Sequence, residues 1–155
     1  MLEKREIPRH LLIRLSVASP AYVSTDLMTW NSGMDFRGSA EFPAVILGTV
    51  PGIDISTFKF ENALPLGGVY SGVSVFGTLS RPLFPGKLTG GLGLVGISAG
   101  GFLQQSYDFT FAERFALSVD FRLTFTSNMM GDDEVERGFN SWFDLGISPG
   151  VILIK

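Results

Sequence analysis

Apolar and polar residues alternate with a period of two along most of the chain. The longest case covers eleven residues, from Phe115 to Phe125, in which every odd position is apolar and the even positions include Asp120 and Arg122. Because successive side chains of a β-strand point to opposite faces, this pattern predicts a strand with one apolar face. A tilted strand needs about 9–11 residues to cross a membrane, whereas strands of soluble proteins more often have about five or six.

Seven further segments predict strands, which makes eight in total. Four of them keep the alternation clearly, and three show weaker contrast. The clear segments are 11–18, 34–42, 101–111 and 139–147, and the weaker ones are 53–61, 68–80 and 87–98. The last segment contains Gly90, Gly91, Gly93 and Gly96. Glycine in a strand indicates close backbone approach or strong curvature, and both occur in a tightly curved sheet.

The connections predicted between these strands differ in length. Long connections are expected at 19–33 and 127–138, and short ones at 49–52, 81–86, 99–100 and 112–114. Pro43 and Pro149 fall inside predicted strands if these continue past the alternating segments 34–42 and 139–147, and proline cannot donate to the hydrogen-bond ladder. Each is therefore expected to mark a bulge or a strand end.

The composition is less charged than that of a typical soluble domain, although no single segment is long and apolar. Of the 155 residues, 17% are charged, against about 25% in a typical soluble domain, and the mean hydropathy is +0.29. No segment approaches the roughly 20 apolar residues of a membrane-spanning helix. The sequence therefore predicts an all-β, closed antiparallel up-and-down transmembrane barrel of about eight strands. One domain covers residues 1–155, and residues 1–9 are expected to form a flexible N-terminal extension.

The polar faces of the strands predict a charged barrel interior. An eight-stranded barrel is just wide enough for side chains to fill it, and an unpaired buried charge costs several kcal/mol. We therefore expect a lumen ion-pair network that closes the interior, with a narrow ion path as the alternative. The predicted network contains Arg14, Asp35, Arg37, Glu41, Asp108, Asp120, Arg122 and Asp144, and the alternation places Asp54 on the same inward face.

Candidate chemistry outside the lumen is sparse. The net charge of −3 gives no basic footprint of a nucleic-acid-binding protein, and the absence of Cys excludes disulfides and thiolate sites. His10 is the single His and precedes the first strand, where we do not expect it to act as a catalytic base. We therefore expect no catalytic residues and no enzyme. Acidic residues at 132–136 match no EF-hand spacing and indicate a solvated loop, so no metal and no cofactor are expected.

Aromatic and apolar residues in two places suggest other roles. The first long connection contains Tyr22, Leu27, Met28 and Trp30, which is unusually apolar for a loop. Exposed apolar patches often mark contact sites, so this loop is predicted to touch a partner protein or to fold over the barrel mouth. Trp142 lies on a polar face, which predicts that it caps the lumen near one rim.

The segment 109–122 combines an aromatic strand, a tight polar turn at Ala112-Glu113-Arg114 and a second aromatic strand with lumen charges. It resembles a hairpin of the small bacterial outer-membrane barrels of the OmpA, OmpX and OmpW type. The resemblance implies residence in the bacterial outer membrane, with the signal peptide absent from this chain. It also implies membrane lipid as a partner, other envelope proteins as further partners, and a structural, anchoring or assembly-subunit role.

Two alternative functions use the same strands. The first is a barrel that transports or binds a small hydrophobic ligand, which requires a gap in the lumen or in the glycine-rich segment 87–98. The second is a soluble, lipocalin-like barrel in which the apolar faces line a ligand cavity and the charges face water. The low charge content and the long strands favour the membrane barrel over the soluble one.

Overall fold

The predicted strand segments all form strands in the computed structural model, which describes residues 11–24, 28–29, 34–62, 69–111, 114–128 and 138–154. Eight strands are long, and β2 has two residues. The strands are β1 (Leu11–Ser24), β2 (Met28–Thr29), β3 (Asp35–Glu41), β4 (Val50–Asn62), β5 (Val69–Leu83), β6 (Gly86–Val95), β7 (Ser98–Phe111), β8 (Phe115–Thr126) and β9 (Asn140–Ile154). The described residues include no helix long and apolar enough to cross a membrane.

The long strands close into a barrel. Each pairs antiparallel with the next long strand along the chain, and β9 pairs back with β1 from Leu11↔Ile154 to Ser24↔Ser141. The short strand β2 lies beside the end of β4. Closure leaves no free sheet edge among the long strands. The predicted fold, a closed antiparallel barrel of eight strands, is confirmed.

The outward face of the strands is mostly apolar, whereas the inward face carries the buried charges and hydroxyls together with five aromatic side chains. Leu15, Phe36 and Phe115 are 68%, 62% and 58% exposed, whereas Ser118 and Asp120 are each 1% exposed. This is the reverse of a soluble barrel. The arrangement required by the lipocalin-like alternative, with apolar residues inside, is therefore wrong.

Outward-facing charges delimit an apolar band on the outside of the barrel. Lys59 on β4 is exposed and pairs with Ser71 of β5, and the exposed Arg81 lies ten residues further along β5. Ten residues extend roughly 33 Å along a strand, or about 25 Å along the membrane normal at the tilt of such barrels. The exposed apolar residues between these limits on the two strands are Ile53, Ile55, Val73, Val75 and Leu79. The height equals that of the apolar band of outer-membrane barrels.

Two of the predicted connections on the termini side of the barrel are placed differently by the structure. The first turn was expected at 49–52, but β4 already begins at Val50 and the connection occupies 42–49. The chain reverses there because Ile46 and Thr49 exchange backbone hydrogen bonds of 2.8 and 2.9 Å. The connection expected at 81–86 shortens to Phe84-Pro85, whose peptide bond is cis.

On the opposite side of the barrel, two connections also differ from the prediction. Strand β1 continues to Ser24, so much of the expected connection 19–33 is strand. The turn expected at 99–100 lies instead at Gly96-Ile97, where the positive φ of Gly96, 60°, lets the backbone reverse. Strand pairing extends past the point where alternation ends, because backbone hydrogen bonds do not depend on side-chain type.

The two prolines behave differently. Pro43 lies two residues beyond Glu41, the last residue of β3, and so lies just past a strand end, as predicted. Pro149 lies inside β9, opposite Leu117, in a β8–β9 register without a shift, so the bulge or strand end expected there is wrong. The pairing of β9 with β1 has a gap between Arg14↔Gly150 and Val17↔Ile147, and the missing N–H of Pro149 falls within this gap.

Candidate functional site in the barrel lumen

The end of the lumen nearest the chain termini holds an ion-pair cluster of four side chains from four strands. Arg14 donates to Glu41 at 2.7 Å and to Asp108 at 3.0 Å. Lys87 donates to Glu41 and lies 3.9 Å from Asp108. The two cations and two carboxylates balance, so the interior at this level carries no net charge. We call these four residues the termini-side cluster.

Near the middle of the barrel, Arg37 of β3 links strands β8 and β9. Its guanidinium donates to Asp120 at 2.9 Å and to Asp144 at 2.7 Å, and the side chains of all three residues are buried. The hydroxyl of Ser148 donates to the second oxygen of Asp120 at 2.9 Å. Charge-assisted hydrogen bonds of this length are among the strong ones.

Arg122 forms a second ion pair in the middle of the barrel. It donates to the two carboxylate oxygens of Asp54 at 2.9 and 2.6 Å and to Gln104 at 2.7 Å. Strands β8 and β4 are four positions apart in a ring of eight, so this pair spans the full barrel diameter. The guanidinium also lies 3.9 Å from the ring centroid of Phe102, a cation–π contact. Arg37, Asp54, Asp120, Arg122 and Asp144 form the mid-barrel cluster.

The half of the lumen farther from the termini is filled by aromatic rings. Trp142 lies 5.0 Å from Phe60 and 6.0 Å from Phe58, and Phe76 lies 5.0 Å from Phe102, all as distances between ring centroids. The five residues are at most 7% exposed. We call them the aromatic layer. Trp142, which the sequence predicts to cap the lumen near one rim, lies in this layer.

One small cavity separates the termini-side and mid-barrel clusters. Its volume is about 30 Å³, which is room for about two water molecules. Charged residues on its wall are Arg14, Glu41, Asp54 and Arg122, and the hydroxyls on its wall belong to Ser16, Ser39, Thr78, Thr89, Ser106, Ser118 and Ser148. A wall of this polarity suits water rather than an apolar ligand.

Seven of the eight residues predicted for the lumen network form ion pairs, and Asp54 joins them. Asp35 is buried in the same interior but forms none of the ion pairs found among the described residues. Sequence reasoning missed Lys87. The signal was present, because the outward-facing Leu88, Leu92 and Leu94 place Lys87 on the inward face, but the glycines of this segment obscure the alternation.

The predicted contact loop lies only partly within the described residues. Tyr22 belongs to β1 and Met28 to β2, whereas Leu27 and Trp30 lie outside the described residues, as do His10 and the acidic residues 132–136. Within the described ranges, no group of three or more His, Cys, Asp or Glu side chains could hold a metal ion.

The glycine-rich strand β6 leaves no gap in the barrel wall. It pairs with β5 from Ser74↔Val95 to Leu83↔Gly86 and with β7 from Lys87↔Ser106 to Val95↔Ser98, both without interruption. A Cβ on Gly91 would lie 2.3 Å from a ring carbon of Phe102. Glycine at this position therefore makes room for an aromatic ring inside the barrel.

Comparison with known proteins bears on the fold. No protein-family model matches the chain, and no curated protein sequence matches it. The structure is similar to that of the outer membrane protein OprG from Pseudomonas aeruginosa, with a TM-score of 0.51 and 12% sequence identity. The match covers 96% of this chain and 97% of that chain. The predicted resemblance to small outer-membrane barrels is thereby confirmed at the level of the fold.

Proposed function

We propose that this protein is a non-enzymatic barrel of the bacterial outer membrane, with a lumen closed to ions and a structural, anchoring or assembly-subunit role. The observation that carries the proposal is the stacking of three layers along the lumen. They are the termini-side cluster, the mid-barrel cluster and the aromatic layer. The apolar exterior and the similarity in fold to an outer membrane protein support the location.

A closed lumen follows from how these layers are built. The Arg122–Asp54 pair crosses the whole diameter, and the cavity between the two clusters has room for about two water molecules. An ion that crosses the barrel would have to lose its hydration shell and separate ion pairs, and breaking a buried pair costs several kcal/mol. The rings of the aromatic layer narrow the path further toward the opposite end of the barrel.

The interior also lacks a catalytic arrangement among its described side chains. The carboxylates at its centre are held by arginines, and the chain has no Cys to serve as a nucleophile. A Ser hydrolase needs a neighbouring base, usually His, and the described residues include no His. These features support a role that does not involve catalysis.

Conductance in a planar bilayer tests the closed lumen. The wild-type chain is expected to carry no steady ion current. The double variant Asp54→Ala/Arg122→Ala removes the ion pair without leaving an unpaired charge. Its current is expected to stay low, because an ion would still have to pass the aromatic layer. The further change Trp142→Ala is expected to open the pore.

Leu123→Ala is the matched control for these variants, because its side chain faces outward from the same strand as Arg122. It is expected to behave as the wild type. A steady current through the wild type that Arg122→Ala raises little would contradict a closed lumen.

The alternative of a carrier for a small hydrophobic ligand has less support. Such a carrier needs an opening in the lumen or in the wall. Strand β6, where an opening was expected, is paired along both edges, and the aromatic layer fills the interior beside it. The proposed assembly role includes contact between an envelope protein and the loop that contains Tyr22, Leu27, Met28 and Trp30.

A further inference from the structure

The connection between β3 and β4, residues 42–49, is mostly apolar and is exposed from residue 42 to residue 48. It contains six consecutive apolar residues, from Phe42 to Leu47, and residues 42–48 are all exposed. Leu47 is 100% exposed and Ile46 is 53% exposed. Single exposed apolar residues are common on proteins, but a contiguous exposed patch indicates a contact surface.

The turn at the tip of this connection does not account for its apolar sequence. The two central residues have positive φ angles, 52° at Leu47 and 78° at Gly48. Two-residue turns of this kind favour Asn, Asp or Gly at both positions, because the left-handed backbone crowds a Cβ. In water, Asn at position 47 would improve both the turn and its solvation. An apolar residue here therefore indicates surroundings other than water.

The position of the connection matches the edge of the membrane on the termini side. Val50 pairs with Ser80, so the base of the connection lies beside Arg81, which ends the apolar band. Leu47 is three residues beyond Val50, or roughly 10 Å along the strand and about 8 Å along the membrane normal. The polar layer on each side of a bilayer is about 5–7 Å thick, so the connection lies within that layer and Leu47 lies close to its outer boundary.

The neighbouring turn extends the same surface. Phe84, between β5 and β6, is 81% exposed, and Leu83 before it is 43% exposed on the outward face. Phe42 likewise continues the outward face of β3. We call Phe42, Val45, Ile46, Leu47 and Phe84 the apolar rim. It is continuous with the lipid-facing exterior of the barrel.

We propose that the apolar rim lies buried in the interfacial layer of the phospholipid leaflet on the termini side and fixes the depth of the barrel in the membrane. The Arg81 side chain can extend along apolar surface and place its guanidinium at the phosphates. No residue from 42 to 53 is charged, so nothing in the rim opposes this placement. The proposal is independent of whether the lumen conducts.

Spin labelling tests the location of the rim. The chain has no Cys, so Leu47→Cys creates a single labelling site in the full chain, reconstituted in phosphatidylcholine vesicles. Collisions of the label with oxygen, which partitions into lipid, are compared with collisions with a water-soluble nickel chelate. The reference sites are Leu123→Cys in the apolar band and Ser127→Cys, which is exposed beyond the end of β8.

The oxygen-to-nickel collision ratio at position 47 is expected to lie between those of the two reference sites. A ratio equal to that at position 127 would place the rim in water and overturn the proposal. Shielding from both agents would show that protein covers the rim, by a second copy or another segment of the chain, and would overturn it as well.

A second variant separates lipid contact from folding. Leu47→Asn suits the left-handed turn, so the barrel is expected to stay folded while the rim loses its most exposed apolar side chain. A label at Val45→Cys in this background is expected to become severalfold more accessible to the nickel chelate than in the Leu47 background. Unchanged accessibility would overturn the anchoring role of the rim.

Discussion

At the scale of single residues, two neighbouring glycines of β6 have opposite surroundings. A Cβ on Gly91 would lie 2.3 Å from the ring of Phe102, whereas a Cβ on Gly90 would meet nothing within 4 Å. The Phe102 ring in turn supports the guanidinium of Arg122. Gly91 therefore determines where the aromatic layer meets the mid-barrel cluster.

Alanine at these two positions is expected to have different effects on stability. Gly91→Ala forces Phe102 to move, and such overpacking typically lowers the free energy of unfolding by about 1–3 kcal/mol. Gly90→Ala is the matched control and is expected to be neutral or to raise stability by up to about 1 kcal/mol, because it restricts the unfolded chain. Urea unfolding in vesicles measures both, and equal stabilities would contradict this account.

At the scale of strands, the barrel wall is not uniform. The β7–β8 ladder has an unbroken register from Gly100↔Thr126 to Phe111↔Phe115. The β1–β9 ladder has register shifts at Leu11/Leu12 and at Pro20/Tyr22. Proline lacks the amide N–H that a ladder needs. Pro20 lies at one of these shifts and Pro149 lies within a gap in the same ladder, whereas Pro51 of β4 and Pro82 of β5 lie in ladders without a shift. The junction between the first and last strands is therefore the least regular part of the wall.

Hydrogen exchange is expected to detect this difference. Amides of β1 and β9 near Pro20 and Pro149 should exchange faster than amides at the centre of β7 and β8, because local opening disrupts fewer backbone hydrogen bonds there. Mass spectrometry of peptides from the reconstituted barrel measures the rates. Equal protection of the two ladders would show that the irregular junction opens no more readily than the rest.

At the scale of the whole molecule, the exterior determines how the protein behaves in solution. Charged side chains are concentrated in the lumen, and the outer band between Lys59 and Arg81 is apolar. A soluble protein rarely exposes a contiguous apolar area of more than a few hundred Å². This exterior requires lipid or detergent around it.

We expect the purified chain to be monodisperse in detergent micelles and to aggregate when detergent is removed, because the apolar band would then face water. Size-exclusion chromatography with light scattering measures the state before and after removal. Monodisperse behaviour in plain buffer would contradict the membrane-spanning interpretation of the exterior.

In the strands with clear alternation, the sequence by itself determined which side chains point into the barrel and which point out. Alternation is a local property, because each residue reverses the direction of the side chain before it. It correctly assigned Arg14, Arg37 and Arg122 to the interior and Phe36 and Phe115 to the exterior. It also indicated the number of long strands, since each long strand contains one stretch of alternation.

Only the tertiary structure decided which interior charges meet. Arg122 reaches Asp54, which is 68 residues away along the chain, because eight strands place β8 opposite β4 and the stagger between strands brings the two side chains to one height. Neither the number of strands in the ring nor the stagger between them can be read from a single strand. The same closure brought Lys87 to Glu41 and packed Phe60 edge-to-face against Trp142, because contacts across a lumen depend on the whole ring of strands. Facing inward, by contrast, depends on one strand alone.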